Sequence, residues 1–278
     1  MRRSRISVGL SLVAVVASSA FLAGCGVTTV VDPVAQAATQ SEKSGGADVS
    51  MTVSVAVPGS PAVVVNASGV IGDGSADLTL DLGSAGKAVG LGKVEELLVK
   101  EDGSSVIYLD MGSLAQTLGT DKRWLRIDLA KVGGFGSTFS KMLLGGGQNP
   151  MDTLTALEKV GDFQEVGAAT IDGTETTHYQ GTVDVEKALK DTGIDLSSLP
   201  GGSGASVPST IPYEVYVTSD GKVRRVSSTY DETVSGKVAH AEVTMDFTHW
   251  GLDPLIGPPP ADQVFDATGL LAKSLGGG

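Results

Sequence analysis

Few residues of this chain have the type and spacing that chemistry requires. His178, His240 and His249 lie too far apart in the sequence for a metal site on one helix, and no Gly-x-Ser-x-Gly elbow presents a nucleophilic serine. Gly145-Gly146-Gly147 lacks the Lys-Ser/Thr that completes a phosphate-binding loop. The acidic residues mostly alternate along extended stretches, where a solvated strand face accounts for them. His178 belongs to the alternation Thr176, His178, Gln180, opposite Thr177, Tyr179 and Gly181. It reads as a strand histidine paired across a sheet, with a polar contact to a ligand headgroup as the other reading. Nothing here assembles into an enzymatic site, and no metal is expected. The residue with the most defined chemistry is Cys25, the only thiol.

The surroundings of Cys25 say what that thiol is for. Met-Arg-Arg-Ser-Arg precedes a charge-free run from Ile6 to Leu22. These are the basic and apolar regions of a secretory signal, and at about 17 residues the run reaches only the lower limit of a membrane span. Leu22-Ala23-Gly24-Cys25 resembles the lipobox of bacterial lipoproteins. That resemblance implies removal of residues 1–24 and a diacylglyceryl group on Cys25, with or without an N-acyl chain, and no other cofactor. The expected location is the outer face of the bacterial cytoplasmic membrane. Two acyl chains bury many methylenes at ~0.8 kcal/mol each, so the anchor would be effectively permanent. With Cys25 so used, no thiol remains for a disulfide, and packing alone must stabilise the exported chain.

Loss of residues 1–24 removes Arg2, Arg3 and Arg5 but no acid, which moves the formal charge from −12 to −15. A surface that acidic repels nucleic acid and anionic headgroups, so nucleic acid is excluded as a partner. At 41% hydrophobic and 5% aromatic, the chain can fill a core, mostly with aliphatic side chains.

The elements that must surround any site follow from periodicity. Residues 25–46 lack a sustained pattern and read as a lipidated tether, in which part of Asp32 to Lys43 has room for one amphipathic helix. From Asp48 onward the period is two: Val49, Met51, Val53 and Val55 alternate with Ser50, Thr52 and Ser54. Turns at Pro58-Gly59-Ser60-Pro61, Gly72-Asp73-Gly74 and Glu101-Asp102-Gly103 separate further strands at 62–71, 77–82, 94–100 and 105–111. A short turn or helix at 112–119 leads to a sixth strand at 123–129. Strands return at 163–171, 174–185, 213–218, 222–231 and 237–247. A helical insertion spans about 130–162, a short helix is expected at 186–191, and an amphipathic piece at 264–275 ends the chain.

About 10–11 antiparallel strands with few helices make an α+β protein. A sheet that large curls into a half-open β-barrel whose apolar face the helices must cover. Residues 47–278 are thus expected to form a single domain.

Several segments resemble the LppX/LprG-type envelope lipoproteins, whose fold is similar to that of the LolA and LolB lipoprotein carriers. They are Asp32-Pro33-Val34, Lys122-Arg123-Trp124-Leu125-Arg126-Ile127-Asp128-Leu129, Gly173-Thr174-Glu175-Thr176-Thr177-His178-Tyr179 and Asp220-Gly221-Lys222-Val223-Arg224-Arg225. The resemblance implies a cavity between curled sheet and helices that binds or carries a lipid, an acylated glycolipid or another apolar molecule. The alternative is an envelope sensor or scaffold that uses the same fold for contacts with a protein partner. In the insertion, Phe135, Phe139, Met142, Leu143 and Leu144 recur at helical spacing between two glycine clusters, followed by Leu154 and Leu157. They read either as fixed core over the sheet or as the wall and gate of an apolar cavity.

The anchor makes the first prediction. Cys25→Ala should leave export intact and either release the protein from membranes or leave it unprocessed. Mass spectrometry of the amino-terminal peptide checks this, and an unmodified Cys25 in the native protein excludes the lipoprotein assignment.

Overall fold

The computed structural model describes residues 32–88, 92–112, 114–117, 119–132, 161–184, 187, 209–234 and 237–276. The helical insertion lies outside them except for its ends. Asp32 caps the first helix, α1 (Pro33–Lys43), its Oδ1 accepting from the Val34 N–H at 2.8 Å with proline in the first turn. Val34, Ala35, Ala37, Ala38 and Ser41 form its buried face, and the Val223 N–H donates to Ser41 Oγ at 2.9 Å. The second half of the stretch read as tether is therefore part of the domain. Small side chains bring α1 close to the sheet, a packing that local periodicity does not reveal.

Two antiparallel meanders follow. The first comprises β1 (Gly46–Ala56), β2 (Val63–Gly72), β3 (Ser75–Asp81), β4 (Lys93–Glu101), β5 (Ser104–Asp110) and β6 (Trp124–Asp128). Short helices α2 (Gly83–Ala88) and α3 (Leu114–Thr117) interrupt it. The second comprises β7 (Gly161–Ile171), β8 (Thr174–Asp184), β9 (Thr210–Thr218), β10 (Val223–Val234) and β11 (Lys237–Leu252). Pairing of β1 with β11 fuses the meanders into one curled, unclosed sheet. Twist accumulating over that many strands is what curls it.

The curl needs close backbone approaches. A Cβ on Gly69 would lie 1.9 Å from the Asp77 carbonyl oxygen, and one on Gly46 would lie 2.3 Å from the Ile71 carbonyl oxygen. Both positions exclude any larger residue without movement of the neighbouring strand.

Among the described residues the sheet has twelve strands, where the sequence pattern predicts about ten or eleven, and the last is parallel to its neighbour. After β11 the chain crosses the outer face as an extended strap, with Ile256 and Val264 packed on Leu97, Val99, Val106, Tyr108 and Trp124. It then lays β12 (Val264–Asp266) alongside β6 and ends in α4 (Thr268–Gly276). Three residues behind a proline run are too short to show alternation, so the sequence reads only the helix. Among the described residues, no helix is long and apolar enough to cross a membrane.

Polar contacts dock this strap. Arg126 bridges Asp266 at 3.0 Å and Glu101 at 2.9 Å, Tyr108 donates to Glu101, and the Asp128 N–H donates to Thr268 Oγ1 at 3.0 Å. Burial pushes the Glu101 carboxyl up, but hydrogen bonds from Tyr108 and Arg126 outweigh it and hold the group below its ordinary value. Burial likewise opposes the bonds to Asp266 from Thr268 and Arg126, which hold it low. Tyr108 is pushed up to about 12, first by burial and then by its bond to Glu101.

The signs give a window. Depressed carboxylates contribute stability above their unfolded values, lost as pH falls below about 4. The raised phenol contributes below about pH 10, lost as pH climbs from there through about 12. Amides of 264–271 should thus lose exchange protection at both extremes before β1 and β11 do. Uniform loss across the sheet would mean that the strap has no separate polar lock.

Candidate functional site

The inner face of the sheet is built from cross-strand rows two residues apart. The first row is Ile127, Ile107, Leu98, Ala76, Ile71 and Ala47. Leu125, Leu109, Glu96, Leu78, Gly69, Val49 and Phe247 form the second. The third is Val94, Leu80, Ala67, Met51, Met245, Val226, Val215 and Tyr179. Val65, Val53, Val243, Ser228, Tyr213, Gly181 and Phe163 make the fourth. Because side chains alternate faces along each strand, a row that is apolar on several strands is a continuous wall.

Packing along this wall is graded. Ala47, Ile71, Ala76, Leu98 and Ile107 are at most 2% exposed, and they join α1 in one core cluster. In the fourth row Val65, Val53, Val243, Tyr213 and Phe163 are only half-buried, and beyond it Val63 is exposed. Along β1 and β2 the wall passes from buried Ala47 and Ile71 to exposed Val63 near their hairpin, while on β8 to β11 Tyr179, Val183, Val215, Ser228 and Ala241 stay buried. On the flank of α1 an open groove of about 700 Å³ runs between Gln36, Gln40 and the inner-face residues Thr177, Tyr179 and Val217, with the 219–221 turn at its end.

Polar groups on the wall are few. Ser228 donates to the Pro212 carbonyl at 2.8 Å. Burial raises the Tyr213 phenol, with Tyr230 adding to it. Burial also raises Tyr179, helped by the charges of Glu165 and Asp32. Glu96 is the carboxylate of the second row, between Leu78 and Leu109, and burial pushes it above the ordinary glutamate range. This residue departs from the expectation that strand acids face water. Its signal was the doublet Glu95-Glu96: on a strand of period two, consecutive residues cannot share the solvated side.

Charge is otherwise gathered on the outer face. A register shift between Val223 and Arg225 lets Arg224 and Arg225 both reach Asp246 at 2.7 Å, with Arg224 also 2.8 Å from Asp172. Arg123 binds Asp110 at 2.9 Å and Glu95 at 3.0 Å. His178 is on this outer face, stacked on Tyr216 at 4.5 Å, with Nε2 buried and 4.0 Å from Glu214. That arrangement is the cross-strand reading of His178, not a place on the apolar wall. Among the described residues, no cluster of three or more histidine, cysteine or acidic side chains could hold a metal.

Cys25 lies outside the described residues, as do Phe135, Phe139, Met142, Leu143, Leu144, Leu154 and Leu157. The inner wall is thus a site assembled from strand positions that the sequence marked as core.

No protein-family model matches the chain, and no curated protein does. Among solved structures, it is similar to LprF from Mycobacterium bovis, 13% identical over 82% of this chain and 96% of that one, with a TM-score of 0.38. It is also similar to the lipoprotein LppX from Mycobacterium tuberculosis, 15% identical over 81% and 100% of the two chains, TM-score 0.42. A LolA superfamily protein from Nitrosomonas europaea is 10% identical over 79% and 94%, TM-score 0.26.

The grading of the wall is measurable. Ile71→Ala at the closed end should lower the unfolding free energy by about 2–5 kcal/mol. Val53→Ala or Val243→Ala at the open end should cost about 1 kcal/mol or less, since less apolar area leaves water there on folding. Urea titration distinguishes the two, and equal losses would show a uniformly packed wall.

Proposed function

We propose that this chain is an exported lipoprotein, held on the outer face of the cytoplasmic membrane through Cys25, whose inner sheet face binds or carries a lipid or other apolar molecule. The observation that carries the reading is the grading of the wall. A sheet that served only its own core would be closed along all its rows, whereas along β1 and β2 this one passes from fully buried to half-buried side chains while staying mostly apolar. A dozen methylenes moved from water onto such a wall would gain on the order of 10 kcal/mol before ordering costs are met. On this reading Phe135, Phe139, Met142, Leu143, Leu144, Leu154 and Leu157 remain the candidates for an apolar cavity wall or gate. Binding and release of this kind need no catalytic group.

A decisive experiment uses the mature-length chain with Cys25→Ala, purified without detergent from a lipid-rich bacterial host. The amino-terminal segment must be kept, because α1 is part of the core. Native mass spectrometry should show apolar adducts that organic solvent extracts. A folded protein that is empty and fails to take up fluorescent lipid would instead support the sensor or scaffold alternative.

A further inference from the structure

We propose that Glu96 is the specificity-determining contact of the inner wall, and that the molecule held there carries a hydrogen-bond donor, a hydroxyl or ammonium group, instead of an anionic headgroup. This inference rests on the binding reading above and deepens it.

The placement of Glu96 is unusual on physical grounds. Its cross-strand neighbours are Leu78 and Leu109, and its neighbours along the same face of β4 are Val94 and Leu98. The preceding Glu95 projects outward and finds Arg123 at 3.0 Å. Other shielded carboxylates are similarly provided for: Asp128 accepts from the Ala130 N–H and meets Lys131, while Asp246 holds two arginines. Among the described residues, no hydrogen bond or ion pair reaches Glu96. Glu96 is half-buried, and a carboxyl group partly shielded among leucines without a partner costs stability that leucine at the same position would recover. Residues that break the local rule without a structural return are where function is to be sought.

The chemistry of the group defines its partner. An ionised carboxylate only accepts hydrogen bonds, so the ligand must donate; phosphate and carboxylate headgroups would be repelled. Burial raises the carboxyl above the ordinary glutamate range by disfavouring its charged form, and a donor brought to the oxygens favours that charged form again. Glu96 stands one row above the fully buried residues, so a ligand bound through it would set its polar group deep and run its chain along the third and fourth rows toward the open end.

The test is competition for a fluorescent apolar probe by dodecylamine, dodecanol and dodecanoate, measured on the Cys25→Ala chain at neutral pH. With Glu96 present, amine and alcohol should compete at least tenfold better than the acid. Glu96→Gln, which still accepts a hydrogen bond, should keep the preference for alcohol and lose the further advantage of the amine, which separates the two donor chemistries. Glu96→Leu should abolish both preferences while raising the urea midpoint, a gain that a supporting residue of the fold would not give. Wild-type ranking that favours the acid, or an unchanged ranking in Glu96→Leu with probe uptake intact, overturns the role of Glu96 alone. Failure of any apolar probe to bind any variant overturns the binding reading, and this inference with it.

Discussion

The ladder between β1 and β11 is the contact on which the rest of the molecule depends. It joins segments at opposite ends of the domain, and without it the chain would be two separate meanders, each with an apolar face too narrow to enclose anything. Its register sets Val49 against Phe247, Met51 against Met245 and Val53 against Val243. A slip of one residue would turn Thr52 and Ser54 inward and expose the valines, so burial enforces the alignment. At one end the ladder shifts register where His249 and Gly251 adopt positive φ. This turns Trp250 back over Phe247 at 5.3 Å, its indole N–H donating to the Val223 carbonyl at 2.9 Å.

With the two halves fixed, the sheet sorts charge by face. The guanidinium–carboxylate groups lie on the outside, where pairs open to water contribute ~0–1 kcal/mol each. Their value is more in orientation: Arg126 aligns β12 and α4, and the arginine doublet holds the bulge of β10. The first meander is covered on both sides, since α1 and the inner cluster close one face and the carboxy-terminal strap the other. Apolar runs such as Leu97-Leu98-Val99 and Val106-Ile107-Tyr108 are the sequence trace of that two-sided burial.

The proposed function rests on where closure stops. At Ala47 and Ile71 the wall is core, and along β1 and β2 toward their hairpin it remains apolar but half-covered. A carrier needs such a surface because an acyl chain must leave as well as enter, and a fully packed interior would hold its own side chains in place of a ligand. On the proposed reading, acidic charge keeps such a protein in solution near an anionic membrane while a lipid on Cys25 would supply the attachment.

By itself the sequence determined the strands, their faces and most of their turns. Alternation of side chains and the preference of Asp-Gly for tight reversals are local properties, seen at Asp102-Gly103 and Asp172-Gly173, where all four residues have positive φ. The resemblance of Leu22-Ala23-Gly24-Cys25 to a lipobox is likewise a linear pattern. Only the tertiary structure decided that β1 pairs with β11, that the end of the supposed tether is a buried helix, that a three-residue strand closes one edge in parallel, and that Glu96 lies among leucines. A period of two states which residues share a face, but not which strand comes alongside or what covers that face. Those choices are made by contacts between residues far apart in the chain.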